Sequence, residues 1–200
     1  MLKNFWVFLA IAAGAWLLFH HPQAHWQGQL APADPVQSPD NLPASWKYKD
    51  FTVTPRARYH IKAVVLSKHH YWGEVEIEDT ISYYDLALGW GPMSDAAVIN
   101  RLNITQDTRW YNYSWHNDPP IPLEEIISHS SNNHIIAGNK NVLDAVAHFK
   151  RYDVVDLQGY LVDVKLDNKD WTWHTSLSRT DTGGGSCELF WVDDAFDLSI

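Results

Sequence analysis

The sequence predicts a β-rich α+β domain, a small OB-like barrel with added helices, preceded by one N-terminal transmembrane helix. Three observations carry this expectation. Residues Phe5–Phe19 (FWVFLAIAAGAWLLF) form an apolar run without a single charge. Later segments alternate apolar and polar residues with period two and are rich in aromatic and β-branched side chains. Strands, then a helix, then a long bent strand and a closing hairpin follow one another as in the five-stranded OB barrel.

The run at 5–19 falls between a signal-peptide core of roughly 7–15 residues and a full span of about 20. Lys3 precedes it and the next basic residue is Lys47, which puts the N-terminus in the cytoplasm and the rest outside. With Ala24 at −1, the −3 position falls on Pro22, which is not the small residue a signal peptidase needs and disfavours cleavage. Residues 1–20 are therefore read as an uncleaved signal-anchor. Residues 21–45 contain Pro22, Pro32, Pro35, Pro39 and Pro43, five of the ten prolines. Proline removes backbone donors and favours extended geometry, so this stretch reads as a stalk. Residues 46–200 then form one globular domain of ordinary size.

Within the domain, Tyr59–Leu66, Arg109–Trp115, Trp171–Leu177 and Cys187–Val192 read as strands. In Val154–Leu166 (VVDLQGYLVDVKL) the inward parity flips near Gly159, which predicts a bulge or bend. Asn141 is a candidate cap for a helix with Val142, Leu143, Val146 and Phe149 on one face. Pro122 opens a second short helix, and Ser94 or Asp95 caps a third. The segment Glu74–Asp79 (EVEIED) reads as a solvated acidic strand face.

Composition excludes several functions. A net charge of −9 argues against a nucleic-acid partner and against adhesion to anionic lipid. The single cysteine, Cys187, excludes an intrachain disulfide and a cysteine-based zinc framework. The eleven histidines show no metal-ligand spacing, so no metal or cofactor is expected.

Two features could bind a ligand. The loop Ser178–Ser186 (SRTDTGGGS) could hold an anion on its glycine N–H groups with Arg179, with Asp181 beside it, although a flexible hairpin connection explains it as well. The eleven tryptophans are many for this length. Trp72, Trp90, Trp110 and Trp115 flank turn-like segments and are candidate exposed platforms for sugar rings or partner side chains. A third possibility pairs Cys187 with His174 across a hairpin as an activated thiol near Arg179 and Asp181. Cys187 shares its face with Leu189 and Trp191, which favours a buried structural cysteine instead.

The runs DVVDLQGYLVDV (Asp153–Val164) and WTWHTSLSRTDTGGGSCELFWV (Trp171–Val192), with the preceding NHIIAGNKNV, resemble a family of uncharacterised bacterial proteins with one N-terminal membrane segment. The resemblance implies a bacterial, membrane-tethered origin and carries no activity. The sequence thus predicts a single-pass inner-membrane protein whose domain stands in the periplasm. The expected role is a non-catalytic binding module working with envelope or inner-membrane protein partners. A glycan-binding module, with peptidoglycan as ligand, and a cysteine- or metal-dependent hydrolase are the alternatives.

Overall fold

The structure, a computed structural model, describes residues 22–73 and 75–199. The expected signal-anchor lies outside them. Among the described residues no helix is long and apolar enough to cross a membrane.

The strands are β1 Val36–Ser38, β2 Trp46–Tyr48, β3 Phe51–His70, β4 Tyr84–Gly89, β5 Leu102–Asp107, β6 Trp110–Trp115, β7 Ser130–Ala137, β8 Val154–Leu166, β9 Thr172–Trp173 and β10 Glu188–Asp197. The helices are α1 Ala96–Ile99, α2 Leu123–Ser128 and α3 Lys140–His148. Five strands pair in the order β3–β4–β7–β10–β8 and return to β3, a ring-like closure. All contacts in this path are antiparallel except β7–β10, which is parallel. The great length of β3 makes the closure possible. Its Phe51–Val64 half pairs with β8, and its Val64–His70 half pairs with β4. A register shift interrupts each half, beside Pro55 in the first and Leu66 in the second, and a bulge is where a strand tolerates proline.

Inside the ring, Ile61, Leu88, Leu157 and Phe190 pack together with Val142, Val146 and Phe149 from α3 and its C-terminus. Each such buried side chain contributes roughly 1.5–3 kcal/mol. Two further clusters cover other faces of the sheet. Leu66, Met93, Ile99 and Ile126 form one, beneath the β5–β6 hairpin. Val53, Ile136, Val164, Leu189 and Trp191 form the other.

The three expected helices are present, each with a local reason. Asn139, two residues before the expected cap, accepts from the Val142 N–H at 3.0 Å and starts α3. Asp95 accepts from the Ala97 N–H at 2.9 Å and starts α1. Pro122 stands at the N-cap of α2.

Other expectations are corrected. The proline-rich segment does not stand clear of the domain from Pro22 onward. Asn100 grips the Ala24 backbone through both its amide atoms, and Trp26 Nε1 donates to the Ser94 carbonyl at 3.0 Å. Ala31 is buried and β1 pairs with β3. The residues between the prolines supply apolar contacts and donors that the prolines lack. The strand expected at Trp171–Leu177 shrinks to Thr172–Trp173. Over its described residues, 75–79, the acidic face expected at 74–79 is not a strand: Glu78–Thr80 is a turn of 3₁₀ helix, and Asp79 is buried against Arg109. The irregularity at Gly159 is real, but the extra residue is Asp193 on β10, between Val192 and Asp194 in the pairing with β8.

Candidate functional site

A cavity of about 320 Å³ opens where the end of α2, the start of β7, the β6 strand and the 178–188 segment meet. It brings together four of the six residues singled out from the sequence: Trp90, Trp110, Arg179 and Asp181. Trp110 is 48% exposed and Trp90 only 1%, so Trp90 belongs to the core and offers no free platform. Trp72 and Trp115 lie elsewhere. Trp72 is 78% exposed and packs on His70 at 3.8 Å between ring centroids. Trp115 lines a separate groove with Arg101 and Tyr152.

Arg179 is already engaged. Its Nη1 donates to Glu188 Oε1, Nη2 donates to Gln37 Oε1 at 2.9 Å, and the guanidinium lies over the Tyr59 ring. This compensation of its charge weakens the anion-binding reading of the glycine loop. Asp181 accepts from Ser176 Oγ at 2.7 Å.

Glu188 is the residue the sequence reading passed over. It begins β10, is 1% exposed, and reaches the cavity wall. Burial pushes its carboxyl up to about 7, against the pull of Arg179. The nearby Ser131 hydroxyl also holds the carboxyl down. No donor among the described residues makes a well-formed hydrogen bond to Oε2. A buried acceptor left in this state costs roughly 1–3 kcal/mol.

A second polar group takes the opposite parity on the same strands, and its Asn132 and Cys187 also line the cavity. Asp85 on β4 stands directly opposite His134 on β7, and His134 opposite Leu189 on β10. Cys187 precedes Leu189 by two residues and so shares its side of the sheet. His134 Nδ1 donates to Asp85 Oδ1 at 2.8 Å, as does Arg109 Nη1. Tyr71 Oη donates to Asp85 Oδ2 at 2.8 Å, and Arg109 Nη2 to Asp79 Oδ1 at 2.6 Å. Asn132 Nδ2 lies 3.8 Å from Cys187 Sγ. Burial opposes a charge on either member of the Asp85–His134 pair. The pair's mutual attraction prevails, with help from Arg109 on one side and the Cys187 thiol on the other. Asp85 is held below the usual carboxylate range, and His134 is raised to about 9.

The Cys187–His174 pairing raised as an alternative in the sequence is not formed. His174 is 70% exposed on its side chain, and its Nδ1 lies 3.0 Å from Asp163. The histidine beside Cys187 is His134. Among the described residues no group of three potential metal ligands converges.

These groups set the pH dependence of stability. His134 binds its proton more tightly when folded, so its contribution is complete below about pH 6.5 and disappears as pH rises through about 9. Glu188 acts in the same sense, complete below about pH 4.5 and lost on rising through about 7. Asp85 acts oppositely, its contribution vanishing as pH falls below its ordinary 3.8. Urea unfolding is therefore expected to show a higher midpoint at about pH 5.5 than at about pH 9.5. An equal or higher midpoint at the alkaline end contradicts these protonation states.

Comparison with family models, curated proteins and solved structures finds no match for this chain.

Proposed function

We propose that this chain is a binding module built on an OB-type barrel, and that its ligand is a saccharide seated in the cavity between Trp110 and Glu188. The OB reading is supported by the closed strand order, the single parallel pair and the helix between the third and fourth ring strands. One observation carries the ligand reading. A buried carboxyl, one of whose oxygens lacks a well-formed donor, lines the same cavity as a half-exposed tryptophan. A sugar offers what both need: a hydroxyl donor for the carboxyl and a flat C–H face for the indole. Asn112, Ser130 and Asp181 add further polar partners to the wall. The acidic balance of the chain disfavours a polyanion.

The apolar run at 5–19, together with the resemblance to bacterial single-span proteins, supports a module anchored at a bacterial inner membrane with its domain in the periplasm. Peptidoglycan is then the saccharide at hand. A second reading, an envelope protein partner, is favoured by the exposed pair Trp72 and Val75.

Sedimentation of the full chain with purified peptidoglycan tests the first reading. Trp110→Ala is expected to reduce retention by up to about tenfold, the worth of one aromatic contact of about 0.5–1.5 kcal/mol. Trp72→Ala is expected to leave retention unchanged. Retention insensitive to Trp110, or lost only with Trp72, overturns the cavity as the glycan site.

A further inference from the structure

We propose that the groove walled by Arg101 and Arg151 binds the phosphate of a net-negative lipid headgroup, and so seats the domain on the membrane that its N-terminal apolar run enters. The inference rests on the membrane reading of residues 5–19 and is independent of the saccharide cavity.

The groove, of about 620 Å³, lies between the end of α1, the start of β5, the end of β6 and the turn that joins α3 to β8. Its charge is opposite to that of the chain. Arg101, Arg151 and His116 line it, and no carboxylate among the described residues does. The net charge of −9 disfavours broad adhesion to anionic lipid. A basic groove still recognises a single headgroup at short range, inside a screening length of about 8–10 Å.

The two arginines are poorly occupied within the protein. Arg109 and Arg179 are held in ion pairs. Among the described residues Arg101 and Arg151 are in none. Arg101 donates to the Asp118 carbonyl at 3.4 Å, and Arg151 Nε is buried without a hydrogen-bond partner. A buried donor in this state gains from an acceptor. Guanidinium groups present planar forks of donors that match phosphate oxygens. Trp115 and Tyr152 complete the wall as half-buried rings, the side chains favoured at headgroup depth.

The position of the groove names the source of the phosphate. Pro22 is part of its wall, and Tyr152 Oη donates to the Pro22 carbonyl at 2.7 Å. The apolar run ends at Phe19, three residues earlier. A residue spans at most about 3.6 Å, so this wall stands within about 11 Å of the end of the run. Tyr152 is fixed there by the fold. Its φ of +79° is one that non-glycine residues adopt rarely. Its N–H donates to the Val65 carbonyl at 2.7 Å, and its ring meets Trp26 edge-on and lies under the Arg151 guanidinium. The latch on Pro22 thus holds the arginines beside the membrane entry.

The test embeds the full chain in nanodiscs of phosphatidylcholine, or of an equal mixture of phosphatidylcholine and phosphatidylglycerol, and follows amide hydrogen exchange. In the mixed discs exchange across 99–103, 114–116 and 150–153 is expected to slow by about tenfold, since one basic side chain near an anionic surface is worth about fivefold. Arg101→Gln combined with Arg151→Gln is expected to abolish the slowing and to leave peptidoglycan retention unchanged. Should the double variant fail to fold, Arg101→Gln alone decides. This side chain is exposed and is expected to account for about fivefold of the effect. Inorganic phosphate added to the phosphatidylcholine discs is expected to reproduce none of it. Equal slowing by phosphate assigns the groove to a soluble anion and overturns the lipid source. Equal exchange in the two kinds of disc, or slowing that survives the substitutions, overturns the proposal while the chain stays embedded. A chain that elutes free of both discs overturns the membrane reading and this proposal with it.

Discussion

Replacing Asp85 with alanine is expected to destabilise the domain by about 3–5 kcal/mol, the cost of breaking a buried ion pair from one side. Asp85 takes hydrogen bonds from Tyr71, Arg109 and His134 at 2.8 Å each. Without it, the charged His134 loses its counter-ion and Arg109 keeps only Asp79 as a charged partner. Total stabilities of such domains are about 5–15 kcal/mol, so this single change removes a large share. Asp85→Asn is expected to cost less, because the amide keeps an acceptor for Tyr71 while losing the charge. Urea denaturation of the three proteins at neutral pH checks the order. A loss below about 1 kcal/mol for Asp85→Ala contradicts the role given to this network.

Gly159→Ala is expected to cost about 3 kcal/mol or more, at the upper end of overpacking effects. A Cβ at this position would stand 2.0 Å from the Trp191 carbonyl oxygen and 3.1 Å from the Asp193 nitrogen. Both are backbone atoms of β10, so no side-chain rotation relieves the clash. The β8–β10 pairing must separate at the bulge, which loosens the ring closure and the start of the cavity strand. Gly184→Ala is the control, since a Cβ there meets nothing within 4 Å. Hydrogen exchange of the β10 amides should accelerate in the first variant and not in the second. Equal stability of the two would contradict the close approach at Gly159.

The contrast between these strands shows what the sequence could reveal. β8 is legible in full, because Val154–Leu166 keeps its apolar alternation on both sides of Gly159. The helix at Lys140–His148 is legible because its apolar stripe is intact. β4 and β7 are not, although both belong to the ring. Tyr84–Gly89 places Asp85 among buried apolar residues, and Ser130–Ala137 opens with Ser131, Asn132, Asn133 and His134. Polar side chains at buried positions erase the alternation that marks a strand. Those residues are also the ones that build the polar site, so the strands hardest to read are the ones that carry it. Glu188 escaped notice for a related reason. A charged residue at the head of an apolar strand reads as a solvated end, and only the ring closure shows that it is enclosed. Cys187 and His134 lie 53 positions apart in the chain, so their meeting depends on the parallel β7–β10 pairing that no local pattern announces.

The central claim is that Glu188 and Trp110 receive a saccharide in one cavity. Isothermal titration of the full chain with soluble peptidoglycan fragments, in two buffers of different ionisation enthalpy near pH 7, tests it most directly. A ligand hydroxyl donating to Glu188 favours the carboxylate over the acid. With that carboxyl near 7 in the free protein, binding should release a fraction of a proton. The release should vanish in Glu188→Gln, and affinity should fall in Trp110→Ala. Absence of binding, or binding that neither substitution alters, would contradict the claim.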